Sequence, residues 1–558
     1  MTTKKELLAG FFRNHPVLVL FTFLSGLINN LITLAIPVFI GKYYQLAFHN
    51  HSPKGRFLDL LLPVPDLDAF FLFFSLLVVA KAVAVFMEKY LVGRSAETFS
   101  RSLRERLFPA QLAFTQKAFE SKSYGKYLLR YSGDLGAIQR YVSKGIIGFG
   151  IDILFVALTL SLLFRFNVRM TAVVAAGFIL FFLAVYFLNN LLKVITVRRR
   201  NIRSELLSFV ADRLRGLLTV KVFNREPLEE KKFNKSSGRL FGYGLGYYRL
   251  YGLISALFPF LLYSLLLFVM AEAHRLRVSD PKAFPAHELI IYIITLVNIL
   301  PALRRTLEVS VVWQAGDVSI QKILRIFNAP KENKVKRDDA GYEDVSIQVS
   351  GLEFRHGENV IFSGVDLDIR PKSLTLIKGS QGSGKSSLFK ILLGIYPYAK
   401  GRIVIDGQEA DMTDVYTLRK NITLISEEVP LIGKTVFEAV SYSRKEEKRE
   451  KAAEMLDKLQ SFLPESRRLQ LDHRLVNDGA NLAAGQRRTL QFARALLTRK
   501  KIVLLDDPFQ GLDGPSRAHF AKVIDRMRGK RTFLVASVSD IPELEFDQVV
   551  EMPEPQGR

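Results

Sequence analysis

Two short runs carry residue types that could act on phosphates. The first, "IKGSQGSGKSS", spans Gly379, Ser380, Gln381, Gly382, Ser383, Gly384, Lys385, Ser386 and Ser387. Its glycines let the backbone wrap closely, so that N–H groups face phosphate oxygens. Lys385 would add charge to the β- and γ-phosphates of a nucleotide, and Ser386 would offer a hydroxyl to Mg²⁺. The second, "KIVLLDDPF", is an apolar run ending in two carboxylates. Asp506 is placed to hold Mg²⁺ through water, and Asp507 stands where a general base could orient an attacking water.

Each run needs a strand and a turn to hold it. "SLTLIK" precedes the glycines and reads as a strand, and "SLFKILLGI" follows them with helical spacing. A phosphate loop requires that context, because the helix N-terminus adds its dipole to the loop N–H groups. From Val345 onward, β-branched runs alternate with helical patterns, as in a parallel sheet with helices packed around it.

The first 328 residues are different. Six stretches, at about 16–41, 68–91, 145–165, 170–192, 251–273 and 284–303, are long and apolar enough to cross a bilayer, which takes about 20 residues. The chain has 558 residues, no cysteine, and 78 Lys and Arg against 54 Asp and Glu. Disulfides, thiolate metal sites and Cys nucleophiles are therefore excluded. The basic excess is concentrated in 93–142 and 193–249, the latter with Arg198-Arg199-Arg200. Basic loops stay on the cytoplasmic side, which puts both termini there. That topology accounts for the charge without nucleic acid as a partner. The first apolar run is too long for a cleaved signal peptide and reads as a retained anchor. "SELLSFVADRLRGLLTVKVF" puts Leu206, Val210, Leu214, Leu217 and Val220 on one face, so the spanning helices are expected to continue into the cytosol as rods. Lys81 and Asp152 are ionisable groups within spans, expected to pair with each other or to line a substrate path. Asn29 and Asn30 read as helix–helix hydrogen bonds, and Pro37, Pro259 and Pro301 as kinks.

Between the two phosphate-directed runs lies "NLAAGQRRTLQFARALL". The order of phosphate loop, LSGGQ-like segment and aspartate strand behind six spans resembles the ATP-binding cassette (ABC) exporters. The likeness extends to "GKYLLRYSGDLGAI" and "LLTVKVFNRE" in the two basic loops, and to "QGLD", whose Asp513 matches the D-loop aspartate. The resemblance implies an all-α transmembrane domain of six helices over 1–328, a linker over 329–345, and an α/β P-loop nucleotide-binding domain over 346–558. It also implies that Ala483, Gly485 and Gln486 bind the γ-phosphate of ATP held by an opposite subunit, and that His356 stacks on adenine.

The departures from the family bear on rate. Its Q-loop glutamine, a Mg²⁺ ligand, falls on Glu427, and its catalytic glutamate on Asp507, one methylene shorter. Its switch histidine falls near Ser537 or Ser539, and its signature serine is Ala483. ATP and Mg²⁺ binding should survive these changes, while hydrolysis should be slow. The expected function is an ATP-driven exporter or flippase: a half-transporter that dimerises, as a homodimer or with a different half-transporter, in a bacterial inner membrane. Its cargo is left open, and membrane lipid is the surrounding partner. The alternative is a nucleotide-gated membrane regulator that binds ATP and scarcely hydrolyses it.

Overall fold

The computed structural model describes residues 3–48, 64, 66–120, 124–279, 285–332, 345–409, 415–476 and 479–554. The chain forms two compact units, one of residues 1–112 with 123–328 and one of 113–122 with 329–558.

In the first unit six helices are long and apolar enough to cross a membrane. They are α1 (Pro16–Ala47), α2 (Leu67–Leu112), α3 (Tyr127–Phe166), α4 (Val168–Arg215), α5 (Glu226–Ser279) and α6 (Ala286–Phe327). At 1.5 Å per residue the 48-residue α4 is ~72 Å long, more than twice the ~30 Å hydrocarbon core. The spans therefore do continue as rods, α4 through Arg198–Arg200 and α5 from Glu226 onward.

One detail of the expected rod is corrected. Helix α4 stops at Gly216, whose N–H caps back onto the Asp212 carbonyl at 3.0 Å, and Leu217–Val222 form a separate short helix. Leu217 and Val220 therefore lie on a different helix from Leu206, Val210 and Leu214. Periodicity counted across a glycine assumed a continuous backbone that glycine does not sustain. At the other end, the single residue Asn167 separates α3 from α4. Its carboxamide accepts from the Met170 N–H at 3.0 Å, capping the new helix as the old one ends.

The spans bury a common apolar core that includes Leu163, Met170, Val174, Val269, Ile291, Tyr292 and Leu296. Large side chains such as Leu72, Phe86, Leu180, Leu183, Phe260 and Leu267 stay exposed, as a lipid-facing surface requires. Helices run unbroken through Pro37, Pro259 and Pro301. A Cβ on Gly41 would overlap Ile291, so α1 and α6 approach closely there.

Lys81 and Asp152 do not pair with each other. Lys81 donates to Asn29 Oδ1 at 2.6 Å and to Thr33 Oγ1 at 2.5 Å, while the Asn29 amide meets Glu88. Asp152, buried on α3, takes a forked contact from Arg305 on α6 at 2.5–3.1 Å. Helix α1 packs along α2, and α3 along α6, so each ion finds its partner on the neighbour it touches. Asn30 donates to the Ile151 carbonyl at 3.0 Å, a helix–helix hydrogen bond of the expected kind.

The second unit is built on two sheets. The strands are β1 (Ile347–His356), β2 (Asn359–Ile369), β3 (Leu374–Lys378), β4 (Lys400–Ile405), β5 (Gln408–Glu409), β6 (Ile422–Ile425), β7 (Ile502–Asp506), β8 (Thr532–Ser537) and β9 (Gln548–Glu551). One sheet has the order β2-β1-β4-β5 and is antiparallel; the other, β6-β7-β8-β3-β9, is parallel. The parallel strands alternate burial on two cores. Val503, Leu505, Phe533 and Val535 join one, and Ile502, Leu504, Leu534 and Ala536 the other. Both faces are covered, which is why these strands read as continuous apolar runs.

Residues 113–122 follow α2 in the chain yet pack with this unit. Phe114 pairs with Lys331, the Glu332 N–H donates to the Ala113 carbonyl at 2.8 Å, and the Tyr396 hydroxyl donates to Glu120 Oε1 at 2.8 Å. Arg419 forks onto Glu332 at 2.9 Å through each nitrogen.

Candidate nucleotide site

The parallel sheet aligns the chemistry at one edge. Because β8 lies between β7 and β3, the ends of all three strands are in register: Lys378 sits beside Ser537, and Asp506 beside Ala536. Loops leaving the carboxyl ends of parallel strands form the crevice where ligands bind in open α/β sheets.

The phosphate loop runs from β3 to α7 (Lys385–Leu392). Gly382 and Gly384 adopt φ of +89° and +90°. At Gly384 a Cβ would also lie about 2.5 Å from the Phe362 ring, so both backbone and space demand glycine. The first N–H groups of α7, from Lys385, Ser386 and Ser387, have no intrahelical acceptor. Lys385 is buried; its ammonium donates to the Gly379 carbonyl at 2.8 Å and the Ser380 carbonyl at 2.9 Å. Burial pushes it below the usual lysine range, and the nearby Asp507 and Asp506 oppose that shift. Ser383 is fully buried with Oγ 3.5 Å from the ammonium, and Gln381 is exposed.

Asp506 is held from both sides. Ser386 Oγ donates to Oδ1 at 3.1 Å, and Ser426 Oγ to Oδ2 at 3.2 Å. Two hydroxyls thus converge on one carboxylate. Ser426 was not singled out from the sequence; its signal was its place directly before Glu427 at the end of β6. Glu427 itself is exposed. Gln491, on α8 (Ala484–Leu497), donates to the carbonyls of Ser426 at 3.2 Å and Val429 at 3.3 Å, fixing the loop that carries Glu427.

Asp507 sits at φ +45°. Its N–H donates to the Ala536 carbonyl at 3.0 Å, and its own carbonyl accepts from the buried Arg488 at 3.2 Å. Burial first, and then the adjacent Asp506, raise its carboxyl above the ordinary carboxylate range, while Lys385 and Arg488 pull it back. Ser537 ends β8 and is buried, its Oγ accepting from the Ser539 N–H at 3.3 Å; Ser539 lies beyond the strand and is exposed.

The remaining sequence-derived residues are separate from this cluster. Ala483 is the residue before α8, and its N–H donates to Gln486 Oε1 at 3.0 Å. An alanine has no oxygen to return the cap, so half of a capping box remains. Gly485 lies in the first turn. Asp513 caps α9 (Gly514–Met527), accepting from the Ser516 N–H at 3.1 Å; the Ser516 hydroxyl first, and then this backbone bond, hold its carboxyl below the ordinary range. Among the described residues no hydrogen bond joins Ala483, Gly485, Gln486 or Asp513 to the phosphate loop. His356 is exposed at the end of β1, its ring edge-on to Tyr396 at 6.4 Å.

The family model described as the ABC transporter transmembrane region matches residues 19–300, and the model described as ABC transporter matches 362–510. The chain belongs to the ABC transporters. It is an ATPase coupled to transport across a membrane, of the exporter or flippase kind. A protein of Pseudomonas fluorescens named ATP-dependent lipid A-core flippase is 26% identical over 92% of this chain and 86% of its own length. A protein of the same name from Burkholderia pseudomallei is 23% identical over 82% and 78%. Among solved structures, a bacterial Atm1-family ABC exporter with ATP bound superposes with a TM-score of 0.79 at 16% identity, covering 98% of this chain and 95% of that one. That likeness is one of fold.

Proposed function

We propose that this ABC transporter works as a dimeric half-transporter of the inner membrane that moves a lipid, with ATP binding as its principal energy input and slow hydrolysis as the reset. The observation that carries the reading is the 3.1 Å bond from Ser386 to Asp506, beneath a buried Lys385, in a chain with six spans. It unites the two phosphate-directed runs, 120 residues apart, at one sheet edge.

Two copies facing one another would pair the phosphate loop of each with Ala483, Gly485 and Gln486 of the other. That arrangement gives the exposed signature segment and Asp513 a ligand to meet. His356 would stack on the adenine. The oxygens around Asp506 suit a small hard cation, and Mg²⁺ would be held by Ser386, Asp506 and Glu427. It would supply charge neutralisation at the phosphates. Lys385 shares that work, and Asp507 orients water. Four departures slow the chemistry: Asp507 is short, Glu427 is anionic, Ser537 has no ring nitrogen, and Ala483 lacks a hydroxyl donor. The relatives named as flippases favour a lipid cargo, and the basic loops favour a nucleotide-binding unit on the cytoplasmic side.

Steady-state ATPase of the purified chain in lipid, with Lys385→Ala as the blank, tests this. Slow turnover above the blank is expected. Tight ATP binding with no turnover would favour the nucleotide-gated regulator, which the same departures motivate. Absence of ATP binding would overturn both.

A further inference from the structure

Glu427 brings a third carboxyl group to a site that already holds Asp506 and Asp507. Its neighbour Glu428 is taken by Lys390 at 2.5 Å and adds no free charge. Against the three carboxyls stand two buried cations, Lys385 and Arg488. A nucleotide adds several negative charges, so crowding of like charge is the electrostatic problem of this site. Lys385 belongs to the phosphate loop, whereas Arg488 comes from the second turn of α8. Arg488 is 6% exposed, and neither of its hydrogen-bond partners is a carboxylate. Nη2 donates to the Asp507 carbonyl at 3.2 Å, and Nη1 to Gln491 Oε1 at 3.3 Å. A buried guanidinium is destabilising unless anions compensate it, and here the compensation acts through space. Burial pulls its pKa below the ordinary arginine range, and Glu427, Asp506 and Asp507, in that order, oppose the shift.

The contacts of Arg488 close a ring. Ser426 Oγ donates to Asp506, the Gln491 amide donates to the Ser426 carbonyl, and Gln491 Oε1 accepts from Arg488. Arg488 then donates to the carbonyl of Asp507, the residue after Asp506. Asp507 needs that hold, because φ +45° is a sparsely populated conformation that persists only where its surroundings enforce it. We propose that Arg488 is a positioning residue of the nucleotide site, a fixed cation that lets Glu427 stand beside Asp506 and Asp507 and clamps the backbone carrying Asp507. Before a metal ion arrives, only Lys385 and Arg488 offset the carboxyl groups, so Arg488 governs how well nucleotide enters without metal. This deepens the nucleotide-site reading given above and rests on it.

The test is equilibrium binding of trinitrophenyl-ATP to the full-length protein in detergent, once in EDTA and once in saturating Mg²⁺. Arg488→Gln keeps a donor for the Asp507 carbonyl and removes the charge. It should weaken binding in EDTA by about tenfold, and Mg²⁺ should recover most of that loss by supplying the missing positive charge. Adding Glu427→Gln to the same chain should recover the loss in EDTA as well. Arg488→Lys, which keeps the charge, should bind in EDTA nearly as the parent does. A merely structural role gives an equal loss with and without Mg²⁺ and no rescue by Glu427→Gln; either result overturns the proposal, as does an Arg488→Lys protein as weak as Arg488→Gln. Glu427→Gln alone alters an exposed side chain and reads the charge balance even where Arg488→Gln fails to fold. It should tighten binding in EDTA severalfold, and an unchanged affinity overturns the proposal. A parent that binds the analogue under neither condition would instead defeat the nucleotide-site reading itself.

Discussion

Replacing Asp507 with glutamate should speed ATP hydrolysis. The carboxylate of aspartate ends one C–C bond, ~1.5 Å, short of where glutamate would place it. A misplacement of about 1 Å costs roughly a hundredfold in rate, or ~2.7 kcal/mol. The backbone opposes part of that gain. Asp507 sits at φ +45°, a conformation that aspartate tolerates better than longer side chains, so glutamate should forfeit on the order of 1 kcal/mol. The net expectation is about a tenfold rise in kcat.

The pH profile gives a second reading of the same residue. Burial and Asp506 hold the Asp507 carboxyl above the ordinary range, and only the deprotonated form can serve as base. Activity should therefore climb with pH along a limb that lies above the usual carboxylate titration. That limb should be kept in Asp507→Glu and lost, with most of the rate, in Asp507→Asn. Linkage runs the other way for stability. A carboxyl that binds its proton more tightly folded than unfolded favours the fold less as pH rises from the unfolded value through the raised one. The assay is steady-state ATPase of the chain in lipid from acid to neutral pH, blanked with Lys385→Ala. A glutamate variant no faster than the parent, or an asparagine variant with the limb intact, would falsify the role given to Asp507.

Gly384→Ala should cut ATP affinity by about five- to a hundredfold, because φ +90° and the Phe362 ring both reject a Cβ at a cost of about 1–3 kcal/mol; equilibrium binding of a fluorescent ATP analogue reads this. Arg305→Ala should destabilise the membrane unit by about 3 kcal/mol, since it strands a buried Asp152. Arg305→Gln combined with Asp152→Asn should recover most of the loss in thermal unfolding, and a double variant as unstable as the single would refute the pairing.

Legibility followed the range of the interactions involved. A phosphate loop is written in neighbours: Gly382 and Gly384 take their positive φ, and Lys385 starts its helix, within a few residues of one another. The six spans were equally plain, because a bilayer selects each segment by its own length and apolarity. Their extension beyond the membrane could be read from the same periodicity up to Gly216, where one residue ended the rod.

What only the folded chain decided were partnerships across it. Asp152 meets Arg305, 153 positions later, and not Lys81, because α3 packs on α6 and a buried ion takes the partner its packing brings. Ser426 became a second hydroxyl on Asp506 only when β6 settled beside β7. Residues 113–122 follow the second span without a compositional break, yet they join the nucleotide-binding unit through Phe114, Ala113 and Glu120. By itself the sequence determined which segments enter the membrane and which loop can cradle a phosphate, since local backbone chemistry and hydropathy suffice for both. Which charge neutralises which, and which loop travels with which unit, awaited the tertiary structure, because burial and hydrogen-bond geometry exist only once distant segments touch.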